Sequence, residues 1–187
     1  MFNTFISNGE KEISLNTINS YIKYIEDSFI VNKSKRYDVK GKKYIGSPLK
    51  YYFSDVGLRN ARLNFRQQEE NHIMENIIYN ELCGRDFSVD VGVVEYCYKD
   101  AEKKSKRTQL EIDFVANKGS KKYYIQSALT VADEEKRKQE INSLKRVGDS
   151  FKKIVVVKDN IIPWHDDDGI FYIGIEQFLL DENSMDI

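Results

Sequence analysis

The 187-residue chain is 41% hydrophobic and 32% charged, with a formal net charge of −1 at pH 7. That balance describes a globular protein with a buried core and excludes a disordered one. No run of about 18 apolar residues occurs, and MFNTFISNGEKEIS lacks the basic start and apolar stretch of a secretory signal, so the cytoplasm is the expected compartment and no membrane partner is expected.

The two cysteines, Cys83 and Cys97, lie on predicted regular elements and are expected as reduced thiols in the core. Charge is unevenly placed. Residues 31–50 hold seven Lys/Arg against one Asp, whereas residues 159–187 hold eight Asp/Glu and no Lys or Arg. The first block suits phosphate and the second repels it.

Ser14 is a predicted N-cap, and Leu15, Ile18, Ile22, Ile25 and Phe29 follow at helical spacing, giving an amphipathic helix to about Ser28. RYDVKGKKYI alternates like a hairpin with Gly41 near its turn and a basic tip. Lys33, Lys35, Arg36, Lys40, Lys42 and Lys43 in and around it are the candidate nucleic-acid-binding residues. YYFSDVGLRNARL reads as a short strand and a helix opened by Ser54 or Asp55. A helix followed by a basic hairpin is the trailing part of a winged-helix unit. The thirteen residues before Ser14 offer no obvious leading helices, so that unit is expected to be completed elsewhere or the chain to be a piece of a longer one.

The polar stretch NFRQQEEN, residues 64–71, marks the expected boundary between a partial winged-helix-like unit at 1–66 and a second domain at 67–187. After it, Ile73, Met74, Ile77, Ile78 and Leu82 form a helical stripe stopped by Gly84. Val89–Tyr98 is β-branched and aromatic, a strand; residues 99–108 are a polar connector. Two strands around a turn follow at 109–129. A helix at 133–147 comes next, with Asp133 as cap, Ile141, Leu144 and Val147 on its apolar side, and Gly148 as stop. IVVV at 154–157 suits a strand buried on both faces, reached by a crossover through that helix, and GIFYIGI and EQFLL close the chain as a strand and a short helix. The expected fold is α/β or α+β, a mixed sheet flanked by helices.

QLEIDFVANKGSKKYYIQSAL, residues 109–129, carries the chemistry. Gly119-Ser120 suits a type II′ turn with Lys118 opposite Lys121. That register places Asp113 opposite Gln126 and Glu111 opposite Ala128, all four on one face, with Leu110, Ile112, Phe114, Tyr123 and Ile125 on the other. Cleavage of a phosphodiester with Mg²⁺ needs hard oxygen ligands and is often helped by a lysine. Glu75 on the preceding helix, Asp113 and Gln126 are the candidate catalytic residues, with Asp113 and Gln126 the Mg²⁺ ligands if the centre is live. Gln126 brings no charge, and Ala128 stands where the lysine is wanted.

This order of elements, with EIDFV and YYIQ in the hairpin, resembles the PD-(D/E)XK, restriction-endonuclease-like fold. More closely, SLNTINSYIKYIEDSFIV, RYDVKGKKYIGSPLKYYFSDVGLRNARL, ENIIYNEL, LEIDFVANKGSKKYYIQ and GIFYIGIEQFLL resemble the C-terminal region of a bacterial and archaeal family of AAA-type P-loop ATPases. There a winged helix and a nuclease-like domain of uncharacterised function follow the ATPase core. The resemblance implies an upstream ATPase domain as a partner, because this chain holds no GxxxxGK[ST]. It departs from many relatives in carrying Gln126, Ser127 and Ala128 in place of an acid, an apolar residue and lysine. Arg137 and Lys138 are the candidates for a displaced base.

The expected function is a catalytically degenerate nuclease-like module serving nucleic-acid binding or protein interaction, with no cofactor. The alternatives are an active Mg²⁺-dependent nuclease, and a protein-interaction or homo-oligomerisation module without DNA contact. His165-Asp166-Asp167-Asp168 reads as a surface turn rather than a metal cluster, and His72 as exposed or capping. Tyr51, Tyr52, Phe53 and Trp164 read as packing residues, and two histidines leave no basis for a hydrolase triad.

Overall fold

The first helix begins at a hydrogen-bonded cap. Ser14 Oγ accepts from Thr17 N at 3.1 Å and opens α1 (Leu15–Asp27), as its residue type predicts. The computed structural model describes residue 7 and residues 14–66, 69–99, 104–131 and 134–187; the predicted cap Asp133, the start of the chain and the middle of the 99–108 connector lie outside the described residues.

β1 (Val31–Asp38) and β2 (Lys43–Phe53) form an antiparallel hairpin. Asp38 Oδ1 ties its turn by accepting from Lys40 N at 3.1 Å and Gly41 N at 2.9 Å. The predicted short strand at Tyr51–Phe53 is the end of β2, which runs unbroken from the turn. Asp55 caps α2 (Val56–Arg62), accepting from Leu58 N at 3.0 Å. Then come α3 (Glu70–Gly84), β3 (Ser88–Lys99), β4 (Ser105–Lys118) and β5 (Lys121–Ala128).

The single helix predicted at 133–147 is two short ones, α4 (Glu134–Glu140) and α5 (Asn142–Lys145). Ile141, Leu144 and Val147 recur every third residue and all are buried. The segment tightens toward its end, where Arg146 N donates to Ser143 O and Val147 N to Leu144 O in i→i+3 bonds. β6 (Lys152–Val157), β7 (Trp164–His165), β8 (Phe171–Gly174) and α6 (Ile175–Leu180) complete the described chain.

The fold is a mixed α/β structure in which helices flank a large sheet. The strand order is β2-β1-β3-β4-β5-β6-β8-β7. The β1–β3, β5–β6 and β6–β8 pairs are parallel and the others antiparallel. The predicted crossover from β5 to a parallel β6 runs through α4 and α5, and Ile154, Val155, Val156 and Val157 are each 0% exposed. One core, with Ile78, Leu82, Phe114 and Phe178, lies under α3 and α6; the other, with Leu144, Val115, Tyr124 and Tyr172, lies under α5 and the residues flanking it. One sheet joins the stretches on either side of the predicted boundary, because β1 pairs with β3 from Arg36↔Val91 to Asp38↔Val93.

Cys83 and Cys97 are free thiols but exposed, not in the core. Cys83 sits one residue past the inward-facing Leu82 of α3, and Cys97 lies where β3 has left the body of the sheet. Among the described residues no helix is long and apolar enough to cross a membrane.

Candidate functional site

The hairpin turn is as predicted: Gly119 takes φ +60°, and Lys118 pairs with Lys121 and Phe114 with Ile125. There the β4–β5 ladder stops. On its other edge β4 gains a residue, since Asp90 pairs with Val115 but Gly92 with Ile112, three steps on β4 against two on β3. This is a β-bulge, and it bends the strand and re-aims its side chains. Ile112 therefore packs with Val115 under α5, whereas Phe114 packs under α3. Strict alternation, which put Leu110, Ile112 and Phe114 on one face, fails here for that reason. A Cβ on Gly92 would lie 2.9 Å from both Ile112 Cβ and Val115 Cγ2, so the strand facing the bulge has no room for a side chain.

Past the bulge β4 and β5 part, and side chains take over from the ladder. Asp113 Oδ2 accepts from Ser127 N and Ser127 Oγ, each at 2.8 Å, and from Gln126 Nε2 at 3.0 Å. Asp113 N donates to Gln126 Oε1 at 3.4 Å. The expected face of Glu111, Asp113, Gln126 and Ala128 is thereby divided. Ala128 is 5% exposed and packs in the core under α5, and Glu111 turns to cations of the first hairpin.

Those cations arrive because the sheet curls round α3. Asn76 on α3 grips the end of β2, accepting from Phe53 N at 2.8 Å and donating to Phe53 O at 2.7 Å. Tyr52 stacks on Tyr79 with ring centroids 4.0 Å apart. Glu75 Oε1 then accepts from Tyr52 OH at 2.6 Å and pairs with Lys50 Nζ at 2.5 Å. Lys50 Nζ also lies 3.0 Å from Glu111 Oε1, and Arg36 Nη2 lies 2.5 Å from Glu111 Oε2. A cavity of about 390 Å³ opens beside this network, lined by Asn71, His72, Glu75, Asp113, Gln126 and Thr130 among others.

Burial, and next the like charge of Glu75, raises the Asp113 carboxyl to about 7, against the opposing hydrogen bonds of Ser127 and charge of Lys50. For Lys50 burial alone would lower the ammonium, but Glu75, Asp113 and Glu111 outweigh it and raise it. Burial, reinforced by Glu75, holds the Tyr52 phenol well above its usual range, so it stays a donor.

The predicted trio Glu75, Asp113 and Gln126 is thus brought into one cavity. Lys50, Tyr52, Glu111 and Ser127 complete the network and were not predicted as site residues. The signal for two of them is the i, i+2 spacing of Lys50 and Tyr52 on one face of β2. The displaced bases do not arrive: Arg137 lies over the Trp164 ring at 5.8 Å and Lys138 pairs with Glu134 at 2.7 Å. Of the basic candidates, Arg36 is turned inward to Glu111, Lys33 lies 3.5 Å from Glu26, and Lys35 lies over the Tyr44 ring at 5.4 Å. Lys40 donates to Glu95 O at 3.1 Å, and Lys42 and Lys43 are exposed. Asp166 is spent on the turn, accepting from Asp168 N at 3.0 Å, Ile170 N at 2.9 Å and Tyr172 OH at 3.0 Å.

As arranged, one oxygen of each acid is already engaged: Asp113 Oδ2 receives three donors, and Glu75 Oε1 meets the Lys50 ammonium and the Tyr52 hydroxyl, while Gln126 presents its amide N–H rather than its oxygen to Asp113. A magnesium ion held by these residues would rest on the second oxygens of Asp113 and Glu75 or displace those donors.

Residues 4–69 match a domain of unknown function, DUF8612. An uncharacterized protein of Haemophilus influenzae is 31% identical over 167 residues, 89% of this chain and 38% of that protein. The chain therefore spans well under half the length of that relative. No solved structure matches. The matched domain ends inside the predicted boundary stretch, and it contains Arg36, Lys50 and Tyr52 but neither Glu75 nor Asp113.

Proposed function

We propose that the chain is an accessory module of a longer AAA-type ATPase, in which a restriction-endonuclease-like core binds nucleic acid or protein and does not cut. The observation that carries this reading is that protein donors already engage one oxygen of Asp113 and one of Glu75, and cations pair with Glu75 and Glu111. Asp113 Oδ2 has three protein donors, and Glu75 and Glu111 are neutralised by Lys50 and Arg36. A metal-dependent nuclease needs those oxygens free for the ion and a base facing the attacking water. Support for the nuclease-like ancestry comes from the order α3, β3, β4, β5, crossover, β6, and from the bulge and fork that aim Asp113 at Glu75. The length of the relative beyond the match leaves room for the ATPase.

The test is a cleavage assay on labelled single- and double-stranded DNA in Mg²⁺ and in Mn²⁺, with Asp113→Ala alongside. No cleavage by either protein is expected. Cleavage that disappears in the variant overturns the reading and makes Asp113 a working residue of a live centre.

A second reading, protein contact through the first segment, is favoured by a groove of about 510 Å³ lined by Ile22, Ile25, Ile30, Tyr51, Phe53 and Leu58. Phe29 and Phe65, 80% and 62% exposed, extend the apolar character of this segment. Sedimentation over a range of protein concentrations tests it: self-association independent of salt supports the contact, and a monomer throughout counts against a homo-oligomer.

A further inference from the structure

The β3–β4 ladder runs further than its neighbours. β1 pairs with β3 only as far as Val93, and β5 pairs with β4 only from Phe114, but β3 and β4 stay paired out to Lys99↔Ser105. Residues 96–99 and 105–108 therefore leave the sheet as a two-stranded ribbon. Their pairing puts Tyr96 and Tyr98 on one face with Lys106 and Thr108, and Cys97 opposite Arg107 on the other.

Cations gather at this ribbon from three separate segments. Lys106 and Arg107 stand on it, the latter 73% exposed and only loosely paired, 3.8 Å from Glu95 Oε2. Arg146, at the end of α5, lies over the Tyr96 ring at 3.7 Å, and Tyr98 beside it is 43% exposed. Lys40 of the first hairpin donates to Glu95 O, so the basic turn with Lys42 and Lys43 lies against the ribbon's base. A cavity of about 500 Å³ there is lined by both Lys40 and Arg107. Among the described residues, the acids Asp38 and Glu95 here are occupied: Asp38 holds the Lys40 and Gly41 amides, and Glu95 accepts from Gln109 Nε2 at 2.8 Å.

We propose that this ribbon, flanked by the first hairpin's turn, is a docking surface for double-stranded DNA. The major groove, about 12 Å wide, admits a two-stranded ribbon, and cations on either side of it then meet the phosphates. The inference deepens the binding reading above, names its partner, and moves the contact from the first hairpin alone to a surface shared by hairpin, ribbon and α5. It uses none of the carboxylates of the candidate site.

The experiment is fluorescence anisotropy of the full chain with a short labelled duplex and with one of its strands, between about 50 and 200 mM salt. The duplex is expected to bind more tightly than the strand. Lys106→Glu/Arg107→Glu is expected to weaken duplex binding about tenfold or more and to lower the salt slope by about 2. Lys40→Glu should weaken it further, with the far-UV circular dichroism and thermal midpoint of each variant unchanged. Should the double glutamate disturb the ribbon, Lys106→Gln/Arg107→Gln carries the same charge test at half the change. Full duplex affinity in a folded ribbon variant overturns the surface while leaving a DNA-binding module intact. Preference for the single strand, or no binding at all, overturns the partner, and the cleavage result stands apart from either.

Discussion

Lys50 and Glu75 meet at 2.5 Å, a cation from the first hairpin closing on a carboxylate of α3. Glu111 stands 3.0 Å from the same ammonium, so one side chain separates two acids. Removing it leaves them facing each other in a half-buried place. Lys50→Met is expected to cost about 2 kcal/mol, less than the loss of a fully buried partner because the site is partly screened. Adding Glu75→Gln should recover about 1 kcal/mol of that, a coupling readable from urea unfolding of the two single variants and the double variant.

Asp113 gives the stability a pH dependence of definite sign. Its carboxyl titrates near 7 when folded, above the ordinary carboxylate value it has when unfolded. Between those two values the folded chain holds a proton that the unfolded chain lacks, so this group lowers stability as pH rises through the window. Asp113→Asn removes the titration and keeps an oxygen for Ser127. The variant should gain on the parent steadily from about pH 4 to pH 7 and no further above it. Thermal midpoints across that range check this; a constant difference would show that the carboxyl ionises at its ordinary pH.

Gly92 holds the position opposite the bulge. Alanine there meets Ile112 and Val115 at 2.9 Å, and neither contact is the loose end of a long side chain. Gly92→Ala is expected to cost about 2–3 kcal/mol, measured by chemical denaturation. An Ala variant as stable as the parent would mean that the extra residue of β4 can be absorbed elsewhere.

Asn76 pairs with both backbone groups of Phe53 as a strand would. Asn76→Leu strands that N–H against a helix and leaves the C=O to Asn80 Nδ2 at 3.0 Å, at a cost of about 1–2 kcal/mol, and loosens the end of β2. Hydrogen exchange of the Phe53 amide is expected to accelerate in the variant, while amides in β6 keep their protection relative to global unfolding.

What the chain's residues foretell about this site follows from the range of the forces involved. The cap at Ser14, the turn at Gly119, the buried IVVV strand and the pairing of Lys118 with Lys121 are local matters of residue type and spacing, and all are present. The convergence of Glu75, Asp113 and Gln126 was also legible, since a helix and a hairpin of known register suffice to bring them close. Ile112 was misplaced because a bulge depends on the strand alongside, and nothing within EIDFV announces it. Lys50 is not legible as a site residue because its route to Glu75 depends on the curl of the sheet, with 24 residues of chain between them. The break at Ile141 has no mark in the residues, since a spacing of three is also that of one helix face.

The curled sheet has a consequence for inheritance. The two stretches of chain that meet at Lys50 and Glu75 cannot be exchanged independently between relatives. A recombination near residue 67 that brought in a different first hairpin would leave Glu75 and Glu111 without their counter-ions and Phe53's grip on Asn76 unmade. Substitutions at position 50 are therefore expected to travel with compensating changes at 75 or 111. The lineage of this domain should read as one unit of descent, even though a recognisable sequence family stops at residue 69.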